Sequence, residues 1–301
     1  MANRTASPQT ERTPLLELRG VSKRFGAVQA LTDVSFDVYP GEVVALVGDN
    51  GAGKSTLIKI ISGIYASDGG SARWEGRPVT ISSPNDSKAL GIATVYQDLA
   101  LCDNLDVVAN LFLGREEAQP SGLGPLGVVN EITMETRAVS VLRRLSVKIP
   151  SVRIPIASLS GGQRQSVAVA RSVLWDNKVV LLDEPTAALG VAQTREVLDL
   201  VKRLREEGHG VVIISHNLAD VFEVADRITV LRLGRYVGTY DTRKVSREQL
   251  VALMTGAVPG IAEHEDPTAS AVAATASDTL PAPASPGGTS PGAPGDGGGA
   301  S

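Results

Sequence analysis

The segment Gly48–Thr56, GDNGAGKST, constrains this chain more than any other. Before it runs EVVALV, a continuous apolar stretch ending in glycine, which suits a strand buried on both faces. After it, residues 56–64 carry apolar side chains at helical spacing. KVVLLDEP and GVVIISHN are two more buried-strand patterns. Between them, QTREVLDLVKRLREEG has an apolar helical face closed by glycine. Repeated strand–helix–strand units imply an α/β fold with a parallel sheet covered by helices. LLELRGVSKRF and TDVSFDVYPGE instead alternate between turn signals, as an antiparallel β region does. Residues 98–158 show helical pieces and loops without a buried strand, and are expected to form a helical insertion.

The residue types in these segments point to phosphate chemistry. Gly48, four residues, Gly53, Lys54 and Ser55 satisfy the P-loop spacing. Gly51 and Gly53 let the backbone turn its N–H groups inward around an anion, and the following helix adds positive partial charge. Lys54 is expected to reach terminal phosphates, and Ser55 to offer a hydroxyl to Mg²⁺. Asp49, Asn50, Ala52 and Thr56 complete the loop. Asp183 and Glu184 stand at the carboxyl end of a buried strand, where open α/β sheets bind ligands. There an Asp can hold Mg²⁺ through water, and a Glu can orient or deprotonate an attacking water. Leu159–Gln163, LSGGQ, precedes a further helical pattern. Ser160, Gly161, Gly162 and Gln163 therefore offer a second helix N-terminus with exposed donors. Two phosphate-gripping ends on one chain suggest a nucleotide shared between two copies.

GDNGAGKST, then LSGGQ, then VVLLDEP, in this order, resemble an ABC ATPase over residues 15–256. LSGGQ is particular to that family, whereas the P-loop is common to many nucleotidases. The resemblance implies a P-loop NTPase core with an antiparallel β subdomain and a helical subdomain at about 98–175. It implies that Phe25, in KRFGAVQAL, stacks on adenine. Gln97, in VYQD, would touch Mg²⁺ and water and sense a membrane subunit. His216, in IISHN, would contact the γ-phosphate. ATP and Mg²⁺ would lie between the P-loop of one copy and Ser160–Gln163 of the other. The strings DNGAGKSTLIKIISGI, VYQDLALCDNLDVVANLFLGRE, DEPTAALGVAQT and ISHNL resemble the ATPases of simple-sugar importers. This implies a homodimer powering a separate permease, with a sugar-binding protein as indirect partner. The residues after Gln97, through Asn110 to Arg115, would receive the permease. One departure stands out: the family's usual S-A-L-D is here Ala187, Ala188, Leu189, Gly190.

Composition closes off other classes. Charged residues make up 21% of the 301 and the net charge is −4, so no global charge favours nucleic acid as partner. The residues between the P-loop and LSGGQ carry no heptad run, unlike ATPases that act on DNA through long coiled coils. A single cysteine, Cys102, precludes an internal disulfide. No stretch reaches the ~20 apolar residues of a spanning helix, and residues 1–14 lack the apolar core of a secretory signal. The expected location is the cytoplasmic face of a membrane, held there by a partner. Residues 1–14 and the Ala/Pro/Gly/Ser-rich segment 257–301 are expected to be disordered, since neither can bury enough apolar area to offset its ordering entropy.

Overall fold

The computed structural model describes residues 13–119 and 128–258. Apart from residues 13–14 and 257–258, the terminal segments expected to be disordered lie outside the described residues. The strands are β1 (Leu16–Phe25), β2 (Val28–Val38), β3 (Glu42–Val47), β4 (Gly69–Trp74), β5 (Arg77–Val79), β6 (Ile92–Val95), β7 (Ala118–Gln119), β8 (Val128–Val129), β9 (Val179–Asp183), β10 (Gly210–Ile214), β11 (Arg227–Arg232) and β12 (Arg235–Asp241). The helices are α1 (Lys54–Ile61), α2 (Pro84–Ala89), α3 (Val107–Phe112), α4 (Glu131–Arg144), α5 (Gly161–Val173), α6 (Val191–Glu206), α7 (Leu218–Val224) and α8 (Arg247–Thr255).

The main sheet runs β5-β4-β1-β2-β12-β11-β3-β10-β9-β6. From β11 to β6 every pairing is parallel. At the other end β1 pairs antiparallel with β2 and β4, as its alternating pattern implies. β4, β5 and the β11–β12 hairpin were not anticipated from the sequence.

Strand β3 shows how the sheet separates two cores. Val43, Ala45 and Val47 face one apolar cluster, with Val180, Leu182, Val211 and Ile213 and with residues of α3 to α6. Val44 and Leu46 face the other, with Leu57, Ile58 and Ile61 of α1 and with Leu18, Leu31 and Phe36 of the antiparallel region. The period of two along a strand divides the side chains this way. Burying each Val, Leu or Ile contributes about 1.5–3 kcal/mol before entropy is counted. A continuous apolar run is thus the only pattern compatible with β3, β9 and β10.

Helix α1 begins at Lys54, earlier than the apolar spacing suggested, and its last helical residue is Ile61. Gly63 lies beyond it at φ 75°, where a Cβ would stand 2.1 Å from the Ser83 carbonyl oxygen. Between β6 and β9 the described residues contain α3, α4, α5, a short 3-10 turn at Ile156–Ser158, and the antiparallel pair β7–β8 with two residues in each strand.

Candidate active site at the carboxyl edge of the parallel strands

The parallel register sets the site. Leu46 of β3 pairs with Ile214 of β10, Ile214 with Asp183 of β9, and Leu182 with Val95 of β6. Gly48, His216, Glu184 and Gln97 each follow these paired positions by two residues or fewer of the same strand end. Four segments distant in sequence therefore converge on one edge.

The phosphate loop leaves β3 with its backbone in conformations that glycine favours. Gly48 has φ 150°, and a Cβ there would sit 2.2 Å from the Leu231 carbonyl oxygen. Gly53 has φ 100°, and a Cβ would meet Leu31 Cδ2 at 2.6 Å and the Ala30 carbonyl oxygen at 2.9 Å. These glycines permit close approach to neighbouring chain as well as an inward turn. Lys54 Nζ donates to the carbonyls of Gly48 at 2.6 Å and Asp49 at 3.1 Å. Partial burial lowers the Lys54 pKa, opposed by the nearby charges of Glu184, Asp49 and Asp183. Asp49, Asn50, Gly51 and Ser55 are exposed, Thr56 is half-buried and Ala52 is buried.

Asp183 ends β9 with its carboxyl pKa raised, first by burial and then by the Glu184 charge, with Lys54 and Lys59 opposing. Glu184 takes φ 50°, a left-handed conformation that costs of order 1 kcal/mol for a residue with a side chain. Its N–H donates to Ile214 O at 2.9 Å, which holds the strained residue against β10. His216 Nδ1 lies 2.9 Å from Glu184 Oε2, and the imidazole is exposed. The two side chains, with Thr186 to Ala188 and Ser215 to Asn217, line a recess of about 140 Å³. Asp220, buried on α7, ties two of the lining residues together. It accepts from Thr186 Oγ1 at 2.6 Å and from Asn217 Nδ2 at 2.9 Å. Sequence reasoning missed this trio, because α7 supplies it only once docked.

The donor set suits magnesium. Ser55, Asp183 and Gln97 offer oxygen atoms, and Mg²⁺ prefers one or two carboxylates together with water and substrate phosphate. Among the described residues no group of three or more His, Cys, Asp or Glu side chains could hold a metal unaided.

Other candidates lie apart from this edge. Ser160 caps α5, its hydroxyl accepting from Gln163 N at 3.3 Å while Ser160 N donates to Gln163 Oε1 at 3.0 Å. Gly161 is exposed and Gly162 is buried. A Cβ on Gly162 would stand 2.9 Å from Gln193 Cβ, so this glycine permits α5 to approach α6. Phe25 ends β1, 40% exposed, its ring 5.0 Å from that of Tyr65. The contact of Gly53 with Ala30 and Leu31 brings the β1–β2 tip beside the phosphate loop. Asn110, expected on a receiving surface, is fully buried. It accepts from Cys102 N and donates to the carbonyls of Cys102, Leu105 and Asp106, folding the loop before α3 around itself. The open face beyond Gln97 is a cleft of about 400 Å³, lined by Asp98–Ala100, Leu113–Arg115, Arg171 and Trp175 among others.

A phosphate loop on β3, an Asp-Glu pair on β9, and a parallel sheet between helices define a P-loop nucleotide hydrolase. Residues 31–187 match the family model for the ABC transporter, and the chain belongs to that family. It is accordingly an ATP-binding chain and an ATPase. It is 48% identical to the xylose/arabinose import ATP-binding protein XylG of Sulfolobus acidocaldarius, across 80% of this chain and 94% of that one. It is 47% identical to the fructose import ATP-binding protein FrcA of Rhizobium meliloti, across 81% and 95%. Among solved structures it resembles an ATP-binding cassette in a dimeric, post-hydrolysis state bound to ADP and phosphate. The TM-score is 0.61 at 25% identity, covering 76% of this chain and 99% of that one. Among the described residues no helix is long and apolar enough to cross a membrane.

Proposed function

We propose that this chain hydrolyses ATP to drive uptake of a monosaccharide through a separate membrane permease, working as a pair of identical copies at the cytoplasmic face. The observation that carries the reading is the convergence of Lys54, Asp183, Glu184, His216 and Gln97 on one sheet edge. The names of the two sugar-import relatives support the cargo class.

In this reading the Gly48–Thr56 backbone cradles the phosphates and Lys54 neutralises terminal charge. Phe25 offers its exposed ring to the base. Glu184 orients the attacking water and takes its proton, while His216, held against Glu184, faces the γ-phosphate. Ser55, Asp183 and Gln97 are the side chains that would hold Mg²⁺, which would supply positive charge to the phosphates. Ser160–Gln163 of the second copy caps the triphosphate from the opposite side. The dimeric cassette with ADP and phosphate supports such pairing. The cleft at Asp98–Ala100 and Leu113–Arg115 is the surface offered to the permease. It lies directly after Gln97, so permease and hydrolytic edge share one segment.

The test is ATP hydrolysis by the chain assembled with its permease in vesicles. Hydrolysis is expected to rise when a binding protein loaded with xylose, fructose or ribose is added. A rise with a different solute class, and none with monosaccharides, would reassign the cargo.

A further inference from the structure

Phe25 does not stand alone at the β1–β2 tip. Tyr65 meets it edge to face, with centroids 5.0 Å apart and rings at 68°. Such pairs are favoured because the positive ring edge meets the negative ring face. Two cations extend the stack. Lys23 Nζ lies 5.6 Å from the Phe25 centroid, and Lys59 Nζ lies 5.6 Å from that of Tyr65. Asp68 fixes this arrangement from below, accepting from Lys23 Nζ at 2.7 Å and from Arg24 N at 2.7 Å.

The location of Tyr65 is as informative as the contact. It follows α1, the helix that begins at Lys54 and Ser55. Its N–H donates to Lys59 O at 3.0 Å, tying it to the last turn of that helix. The body of the side chain packs with the apolar cluster containing Leu57, Ile58 and Ile61. The segment running from the start of α1 to just past its end therefore carries the proposed phosphate-binding groups and, four residues beyond Ile61, the ring that meets Phe25.

We propose that Tyr65 is a positioning residue for the nucleotide base. It locks the Phe25 ring in one orientation and fixes its offset from the phosphate cradle through α1. This deepens the function proposed above and rests on Phe25 as the base platform. The hairpin tip turns through Gly26 at φ 55°, and the exposed Phe25 ring there meets Tyr65 on one side and the Lys23 ammonium on another. With the ring free to rotate, base stacking would have to order it at each binding event.

The test compares ligands with and without a base. ATP and inorganic tripolyphosphate are titrated by calorimetry into the full chain and into Tyr65→Leu, Tyr65→Phe and Phe25→Ala, each with its melting temperature recorded. ATP turnover is measured in parallel. For Tyr65→Leu the expected result is a roughly threefold to tenfold weaker ATP affinity and a matching rise in KM, with kcat kept. Tripolyphosphate affinity stays at the parent value, and Tyr65→Phe restores ATP binding because the ring is kept. Equal weakening of ATP and tripolyphosphate in Tyr65→Leu would mean a general disturbance of α1 and would overturn the proposal. Unchanged ATP affinity in Tyr65→Leu, with strong loss in Phe25→Ala, would overturn the buttress and leave the platform standing. Unchanged ATP affinity in Phe25→Ala would sink the platform reading itself, and the buttress with it.

Discussion

The two ends of the parallel strands use charge in opposite ways. At the amino ends, charged side chains are tied to one another and to the backbone. Glu42 accepts from Arg227 at 2.9 Å, and the Arg227 guanidinium also lies over the Tyr39 ring at 5.2 Å. Asp226 accepts from Val43 N at 3.0 Å and from Arg205 at 3.3 Å. At the carboxyl ends, Lys54 donates to backbone carbonyls, Glu184 sits in a strained conformation, and His216 projects into solvent. One edge ties its charged groups to one another, and the other leaves the His216 imidazole in solvent beside Glu184. The lesson is that clustered charge alone does not mark a site in this fold. The orientation of the strands does.

The sharpest way to break this contrast is at Glu184. Glu184→Gln is expected to lower kcat by about 10²- to 10⁴-fold, the usual worth of a positioned general base. ATP binding should persist, with an ATP-dependent dimer accumulating on size-exclusion chromatography. Unfolding midpoints should match the parent, since the substitution touches the outward-facing edge. Turnover at the parental rate would remove Glu184 from its role.

The opposite edge should answer in stability. Burial pushes the Glu42 carboxyl up to about 7 against the opposing pull of Arg227, compared with 4.5 in an open chain. Between those values the folded chain holds a proton that the unfolded chain releases. Folding stability from this group is therefore highest below pH 4.5, declines as pH rises, and reaches its floor above pH 7. Relative to the parent, Glu42→Gln should gain about 2–3 kcal/mol between pH 4.5 and pH 8, read from denaturant unfolding at each pH. Its kcat at a fixed pH should be unaffected. A flat difference across that range would show that the Arg227 pair compensates the buried charge fully.

The smallest expected effect tests the departure at Gly190. This residue caps α6 at φ −72°, and a Cβ there meets nothing within 4 Å among the described residues. Steric crowding does not account for the missing carboxylate. Gly190→Asp should stabilise α6 by a few tenths of a kcal/mol, about the margin between Asp and Gly at a helix N-cap. A loss of stability would mean that the carboxylate meets repulsion from the neighbouring strand end.

These contrasts show where the sequence was legible. The apolar runs of β3, β9 and β10 could be read directly because they are buried on both faces. Their ends placed Asp183 and Glu184 at the carboxyl edge of the sheet as candidates, whereas His216 came from the resemblance of IISHN. Strand β4, GGSARW, is largely exposed and rich in glycine, so it carries no apolar alternation, and its ladder with β1 makes it a strand. Helix α2 has one buried residue, Ser87, and rests on its Ser83–Asp86 capping box. The resemblance put Asn110 on a receiving surface, yet it is buried, because its amide satisfies a loop that only tertiary folding brings around it. Tyr65 sits in no motif, and its meeting with Phe25 joins segments that are distant in sequence.

The shelf beneath the phosphate loop has a practical consequence for protein engineering. Gly48 rests against the Leu231 carbonyl, Gly234 N donates to Ala52 O at 3.1 Å, and Thr32 N donates to Gly234 O at 2.7 Å. Grafting the nine-residue loop onto a foreign scaffold would leave those carbonyl and amide groups without counterparts. A transplant that retains the grip must carry the 231–234 turn and the neighbouring stretch of β2 as one cartridge.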